Sequence, residues 1–161
     1  MLLYMSLLDR LRNQHETIEQ VIAKTDKSRI TFHPEVGKWS IHDNIAHLAK
    51  YQSVFMERVQ AILKADSPTF EPYRAETDPD FESWRYRTLT ELIKTLKADR
   101  ETVVKLITEL PEQQLQRGGI HKKFGKLTII QWTEFFLLHE AHHIFTVFRL
   151  ANDVDMHSSH K

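Results

Sequence analysis

Ten of the 161 residues are histidine, well above common usage, and three of them have a spacing that chemistry can use. His139 and His143 stand four apart in a stretch that reads as helix, so both imidazoles leave one face a turn apart. That geometry lets two rings reach one divalent ion. His47 lies near the start of an earlier amphipathic segment. Brought up from a facing helix, it would add a third nitrogen and leave a fourth position for water, the form of a catalytic zinc site. With ten histidines in the chain, chance supplies about 0.6 pairs at this spacing, so the pair alone decides nothing. Its placement says more. His139 and His143 interrupt an apolar stripe of Trp132, Phe136, Val147 and Leu150, which points them inward, where a lone imidazole needs a partner. Patterning leaves two readings open: core histidines satisfied by hydrogen bonds, or a metal site.

The elements that must position these rings follow from hydrophobic periodicity. Leu8, Leu11, His15, Ile18 and Ile22 recur at spacings of three and four, predicting a first helix over residues 6–24. A second helix opens at Ser40, with Asp43 three residues on as its capping partner, and fades near Pro68. Its stripe is Ile41, Ile45, Leu48, Phe55, Val59 and Ile62. A third starts after Thr88, capped with Glu91, and stops at Pro111. The last is capped by Thr128 with Gln131 and buries Ile129, Trp132, Phe135, Phe136, His139, His143, Val147 and Leu150. Strand-like alternation is nowhere sustained. Four amphipathic helices in one small chain predict an all-α, four-helix bundle.

Residues 67–87 form a long connection between the second and third helices. Its Phe70, Tyr73, Phe81, Trp84 and Tyr86 argue that it packs on the body and walls a pocket or caps a bundle end. Its length can cross from one end of a helix to the other, so those two helices can run parallel. We expect one domain over residues 1–152 and a polar, disordered tail over 153–161.

Composition narrows the function classes. Lys plus Arg and Asp plus Glu are both 22, so the formal charge is zero and no bulk basic footprint for nucleic acid exists. Cysteine is absent, which removes disulfides, thiolate zinc sites and a cysteine nucleophile. No stretch reaches the roughly 18 apolar residues of a membrane span, and the apolar start lacks a basic leader region, so the chain reads as cytoplasmic. Phe145 and Phe148, off the main stripe of the last helix, motivate a homodimer.

The remaining polar groups are assigned by their surroundings. His15, on the first helix's stripe, is a satisfied boundary residue, an orienting partner or a fourth ligand. His142 points about 100° away from His143, toward a groove or a partner. His42 reads as surface, and His33, His121, His157 and His160 as solvated loop or tail residues. Arg100 falls on a buried line and needs a carboxylate or a ligand anion, unless it snorkels to a surface partner, the commoner outcome. Glu57, Glu134 and Glu140 are candidate general bases, and the residues do not choose among them.

The segment Lys38-Trp39-Ser40-Ile41-His42-Asp43-Asn44-Ile45-Ala46-His47-Leu48 resembles the W-S-x-x-x-x-x-x-H-L segment of the DinB/YfiT-like superfamily. Leu138-His139-Glu140-Ala141-His142-His143-Ile144 resembles that family's H-x-x-x-H on its last helix. Many members follow the last histidine with Arg-Gly-Gln, where this chain has Ile144-Phe145-Thr146. The resemblance implies a four-helix bundle with His47, His139 and His143 as ligands of a divalent metal, zinc or nickel. It also implies a homodimer and a small-molecule substrate, with two chemistries: hydrolysis, or transfer using a low-molecular-weight thiol such as bacillithiol or mycothiol. A metal-binding stress-response module without catalysis, or a plain helical interaction protein, is the alternative.

Overall fold

The computed structural model describes residues 3–153; most of the expected tail, with His157 and His160, lies outside the described residues. In chain order the helices are α1 (Met5–Asn13), α2 (Thr17–Ile22), α3 (Lys27–Ile30), α4 (Ile41–Lys64), α5 (Phe81–Arg85), α6 (Leu89–Thr108), α7 (Glu112–Leu115) and α8 (Ile129–Ala151). The strands are β1 (Thr69–Phe70), β2 (Gly118–His121) and β3 (Gly125–Thr128). The architecture is the all-α four-helix bundle expected from the periodicity, made by the α1–α2 unit, α4, α6 and α8.

Each long helix starts where its sequence signal lies. Ser40 with Asp43, Thr88 with Glu91 and Thr128 with Gln131 all form reciprocal capping boxes. In each, the N-cap hydroxyl accepts from the third residue's amide and that residue's side chain accepts in return, satisfying two otherwise orphaned donors. The caps are worth about 1 kcal/mol each.

Contacts between named residues give the helix directions. Near the starts of α4 and α6, Arg85 Nε donates to Asp43 at 2.8 Å and His42 Nε2 meets the Arg87 carbonyl at 2.9 Å. Midway along both, Arg100 Nε donates to Gln52 at 3.0 Å. The two helices therefore run parallel, as the long connection permits. Arg10 pairs with Glu134 and Gln14 with Glu140, so α1 runs parallel to α8. Asn44 reaches His143 and His47 reaches His139, so α4 and α8 are antiparallel.

Three local features depart from the periodicity. The first helix is interrupted by a 3-10 turn over Gln14–Glu16, centred on His15, and ends at Ile22. The stretch before α8 forms a small sheet: β2 pairs antiparallel with β3 and parallel with β1. Strands this short carry too little alternation to be read as strands. Gly119 is where this sheet meets the bundle, since a Cβ there would come within 2.9 Å of Ile62 and 2.7 Å of the Phe70 ring. Finally, α8 is buried on a wider face than one stripe predicts, because Glu140 and Ile144 are buried as well as Trp132, Phe136 and Val147. Gln14, in the 3-10 turn after α1, and Arg100, from α6, reach Glu140, while α4 faces the histidines.

Candidate metal centre

The packing of α4 against α8 brings together the three histidines singled out by spacing. One ring nitrogen of each of His47, His139 and His143 lies within 4.8 Å of the others. His47 Nε2 and His139 Nε2 stand 3.0 Å apart. Nitrogens bound at about 2.0–2.1 Å from one ion are separated by about this much, so the three rings fit a single divalent cation.

The surroundings keep these imidazoles neutral, the form that donates a lone pair to a metal. Burial lowers His47 to about 2, with the other two rings adding to the effect. Burial likewise lowers His139 to about 4 and His143 to about 3. The His143 tautomer is fixed from α4. Asn44 Nδ2 donates to the Ser40 carbonyl at 2.8 Å, which turns Asn44 Oδ1 toward His143 Nδ1, also at 2.8 Å. With its proton on Nδ1, His143 offers Nε2 as the free donor. The Nδ1 atoms of His47 and His139 are buried without a partner among the described residues.

Aromatic rings enclose the centre. The Trp39 ring lies 5.0 Å from His47, Tyr51 lies 4.2 Å from His139, and Tyr73 lies 5.7 Å from His47. Phe81, from α5, packs on both Trp39 and His47. The aromatic connection between α4 and α6 thus supplies one wall, as its composition suggested. A cavity of about 470 Å³ borders the centre, lined in part by Lys38, Trp39, Asn44, His142 and His143. His142 is exposed and faces this groove.

The other sequence candidates fall elsewhere. His15 is buried, but its neighbours are Arg100, Lys97 and Glu19, and it is not among the three converging residues. Glu140 points away from the histidines into a buried ion pair with Arg100, and also accepts from Gln14 at 2.9 Å. Arg100 is therefore fully buried and does not snorkel, because α1, α4 and α8 close over it and supply Leu11, Gln52 and Glu140 as partners. Glu134 is engaged by Arg10 and Tyr4, and the Arg10 guanidinium holds its carboxyl below the usual range. Glu57 is exposed. Among the described residues, no acidic side chain bonds any of the three imidazoles.

Two histidines read as surface are not. His42 is half-buried on the Arg87 carbonyl, tying α4 to the start of α6. His121 is buried, because the β2–β3 hairpin folds it under Phe124 and against Trp132 and Phe135. His33 is half-exposed, with Nε2 2.8 Å from Asp43.

An antiparallel pair of long helices presenting three convergent imidazoles defines a class: four-helix bundles with a three-histidine centre. The chain belongs to the DinB superfamily, whose model matches residues 7–147. Over 113 residues it is 28% identical to a protein of Oceanobacillus iheyensis named "Putative metal-dependent hydrolase". That match covers 67% of this chain and 62% of the relative, so the likeness spans less than two thirds of the relative's length. The fold is similar to YfiT of Bacillus subtilis, described as "a probable metal-dependent hydrolase with an unusual four-helix bundle topology". The TM-score is 0.76 at 18% identity, over 92% of this chain and 85% of YfiT. A DinB-like protein of Bacillus subtilis, YjoA, matches over 92% of both chains with a TM-score of 0.58 at 17% identity. Among the described residues no helix is long and apolar enough to cross a membrane.

Proposed function

We propose that this chain is a metal-dependent hydrolase acting on a small molecule, with His47, His139 and His143 holding one zinc or nickel ion. The observation that carries this reading is the convergence of three neutral nitrogen donors beside a cavity, with no fourth ligand among the described residues. Bound there, a divalent cation supplies a Lewis acid that polarises a carbonyl and lowers the pKa of water. The chain's own residues do the rest. Asn44 fixes the His143 tautomer, Trp39, Tyr51 and Tyr73 keep bulk water from the rings, and burial keeps the Tyr51 phenol protonated as a donor.

The test is metal analysis of tag-free protein after zinc or nickel supplementation, followed by a screen of small esters and amides. Metal near one ion per chain together with ester or amide turnover supports the reading. Content well below about 0.3 per chain removes it. Turnover that appears only with a low-molecular-weight thiol would assign group transfer instead. The same reading includes a homodimer in which a second copy covers the exposed, stacked Phe145 and Phe148. Light scattering at twice the chain mass supports the dimer, and a monomer mass at micromolar concentration removes it.

A further inference from the structure

Arg58 is a buried cation without a counter-ion. It projects from α4, is 7% exposed, and is joined by no carboxylate among the described residues. Its guanidinium donates to the Glu71 carbonyl at 2.8 Å and to Tyr51 Oη at 3.3 Å. Its remaining surroundings are the faces of Trp132 and Phe70, 5.3 and 5.7 Å from ring centre to guanidinium carbon. Buried guanidinium groups are ordinarily paired, since a charge taken out of water needs compensation. The nearby acids are committed elsewhere: Glu71 pairs with Lys122, and Asp78 accepts from Tyr73 Oη at 2.8 Å and faces Lys50.

Arg58 lines a cavity of about 190 Å³ together with Tyr51, His121, Lys123 and the candidate ligand His139. No acidic residue lines it. His121 adds a directed donor. Its Nδ1 accepts from the amides of Lys123 and Phe124 at 3.1 and 3.2 Å, which places the ring proton on Nε2. That Nε2–H has no acceptor among the described residues. Tyr51 Oη, accepting from Arg58, keeps its own proton to give. Guanidinium, imidazole N–H, phenol and the Lys123 ammonium therefore meet in one small hollow whose wall includes a histidine of the metal centre. A concave set of donors with no carboxylate among its described lining residues is complementary to an oxyanion.

We propose that this hollow is the oxyanion subsite of the substrate: it holds a carboxylate or phosphate of an anionic small molecule, whose reacting bond then lies at the three-histidine centre. This rests on the hydrolase reading for the second half of the statement only, since the anion site is defined by Arg58, His121, Tyr51 and Lys123 without a metal.

The test is calorimetric titration with benzoate, phenyl phosphate and the neutral isostere benzamide, on chelator-treated and on zinc-supplemented full-length protein. Binding of benzoate or phenyl phosphate by both forms is expected, with benzamide at least about tenfold weaker, and the tighter anion names the group. Arg58→Gln should weaken the anion roughly tenfold to hundredfold, and Lys123→Ala a few-fold. If Arg58→Gln does not fold, His121→Phe, which keeps the ring volume, and the exposed Lys123→Ala decide. Equal affinity for benzamide, or wild-type affinity in the folded variants, overturns the proposal. So does binding that requires zinc and ignores Arg58, since the anion is then on the metal. Failure to take up zinc with anion binding intact would sink the hydrolase reading and leave the subsite standing.

Discussion

Asn44 and His143 face each other across the α4–α8 interface with Oδ1 and Nδ1 2.8 Å apart, and Asn44 is itself held by the Ser40 carbonyl. The capping box that starts α4 and the orientation of a candidate ligand on α8 are thus one hydrogen-bonded chain. Orienting partners of this kind typically cost about 10–100-fold in metal affinity when removed. Asn44→Leu should therefore weaken zinc binding by that factor, whereas Asn44→Asp, which still accepts from Nδ1–H but loses the bond to the Ser40 carbonyl, should weaken it less. Competition with a chromophoric chelator measures both. Equal affinity in Asn44→Leu and wild type would exclude the orienting role.

The Arg100–Glu140 pair is 1% exposed on both sides, and the Arg100 guanidinium lies over the Phe136 ring at 4.9 Å. Its value to stability is asymmetric. Deleting Glu140 leaves a guanidinium buried without its charge partner, and that costs about 3–5 kcal/mol. Replacing both members by apolar residues of similar volume is often close to neutral. Glu140→Leu should lower the urea midpoint sharply, and Arg100→Met with Glu140→Leu should recover much of it. A double variant as unstable as the sum of both single changes would contradict this account.

Acid should loosen the metal-free protein. His15 and His139 sit near 4 in the fold, His143 near 3 and His47 near 2, against about 6.5 for a free imidazole. Burial is the leading cause in all four. A base with a depressed folded value binds fewer protons folded than unfolded, so the stability it contributes is present above pH 6.5 and lost as pH falls below it. At pH 5.5 the loss is about 1 kcal/mol per buried imidazole. Urea midpoints of chelator-treated protein at pH 7.5 and 5.5 give the measurement, and an unchanged or higher midpoint at pH 5.5 would refute it. The metal-loaded form should release its ion over the same direction of pH, because protons and the cation compete for the same nitrogens.

What could be read from the chain was local. Ser40 with Asp43, Thr88 with Glu91 and Thr128 with Gln131 signal helix starts because a cap is satisfied within three residues. His139 and His143 share a face because helical period alone places them there. The bond that Arg100 donates to Gln52, by contrast, joins residues 48 apart, and no local pattern announces it. The same holds for Glu140: one stripe predicts one buried face, but α8 has neighbours on two sides, so an acid beside the candidate ligands is held in a core ion pair with Arg100. His121 reads as solvated because its hairpin has three glycines and only four residues per strand, and the burial comes from Trp132 and Phe135 in a later helix.

His15 and His47 offer the sharpest contrast for the centre itself. Both are buried histidines on apolar stripes, and both have an Nδ1 without a partner among the described residues. They differ in what surrounds them. His47 meets His139 at 3.0 Å, and its ring stands 4.4 Å from that of His143. His15 sits at the 3-10 break of the first helix, under the positive field of Arg100 and Lys97, where a further cation is unwelcome. His15→Ala should therefore leave metal stoichiometry unchanged and cost stability through the lost packing alone. His47→Ala should abolish uptake, because two remaining imidazoles hold a divalent ion far less tightly than three. Elemental analysis of the two variants after zinc supplementation separates the outcomes. Metal loss in both would make His15 a fourth ligand and the centre a closed, four-coordinate staple of the bundle. Metal retained in His15→Ala alone leaves a position free for substrate, and activity screens should then start from anionic esters and amides.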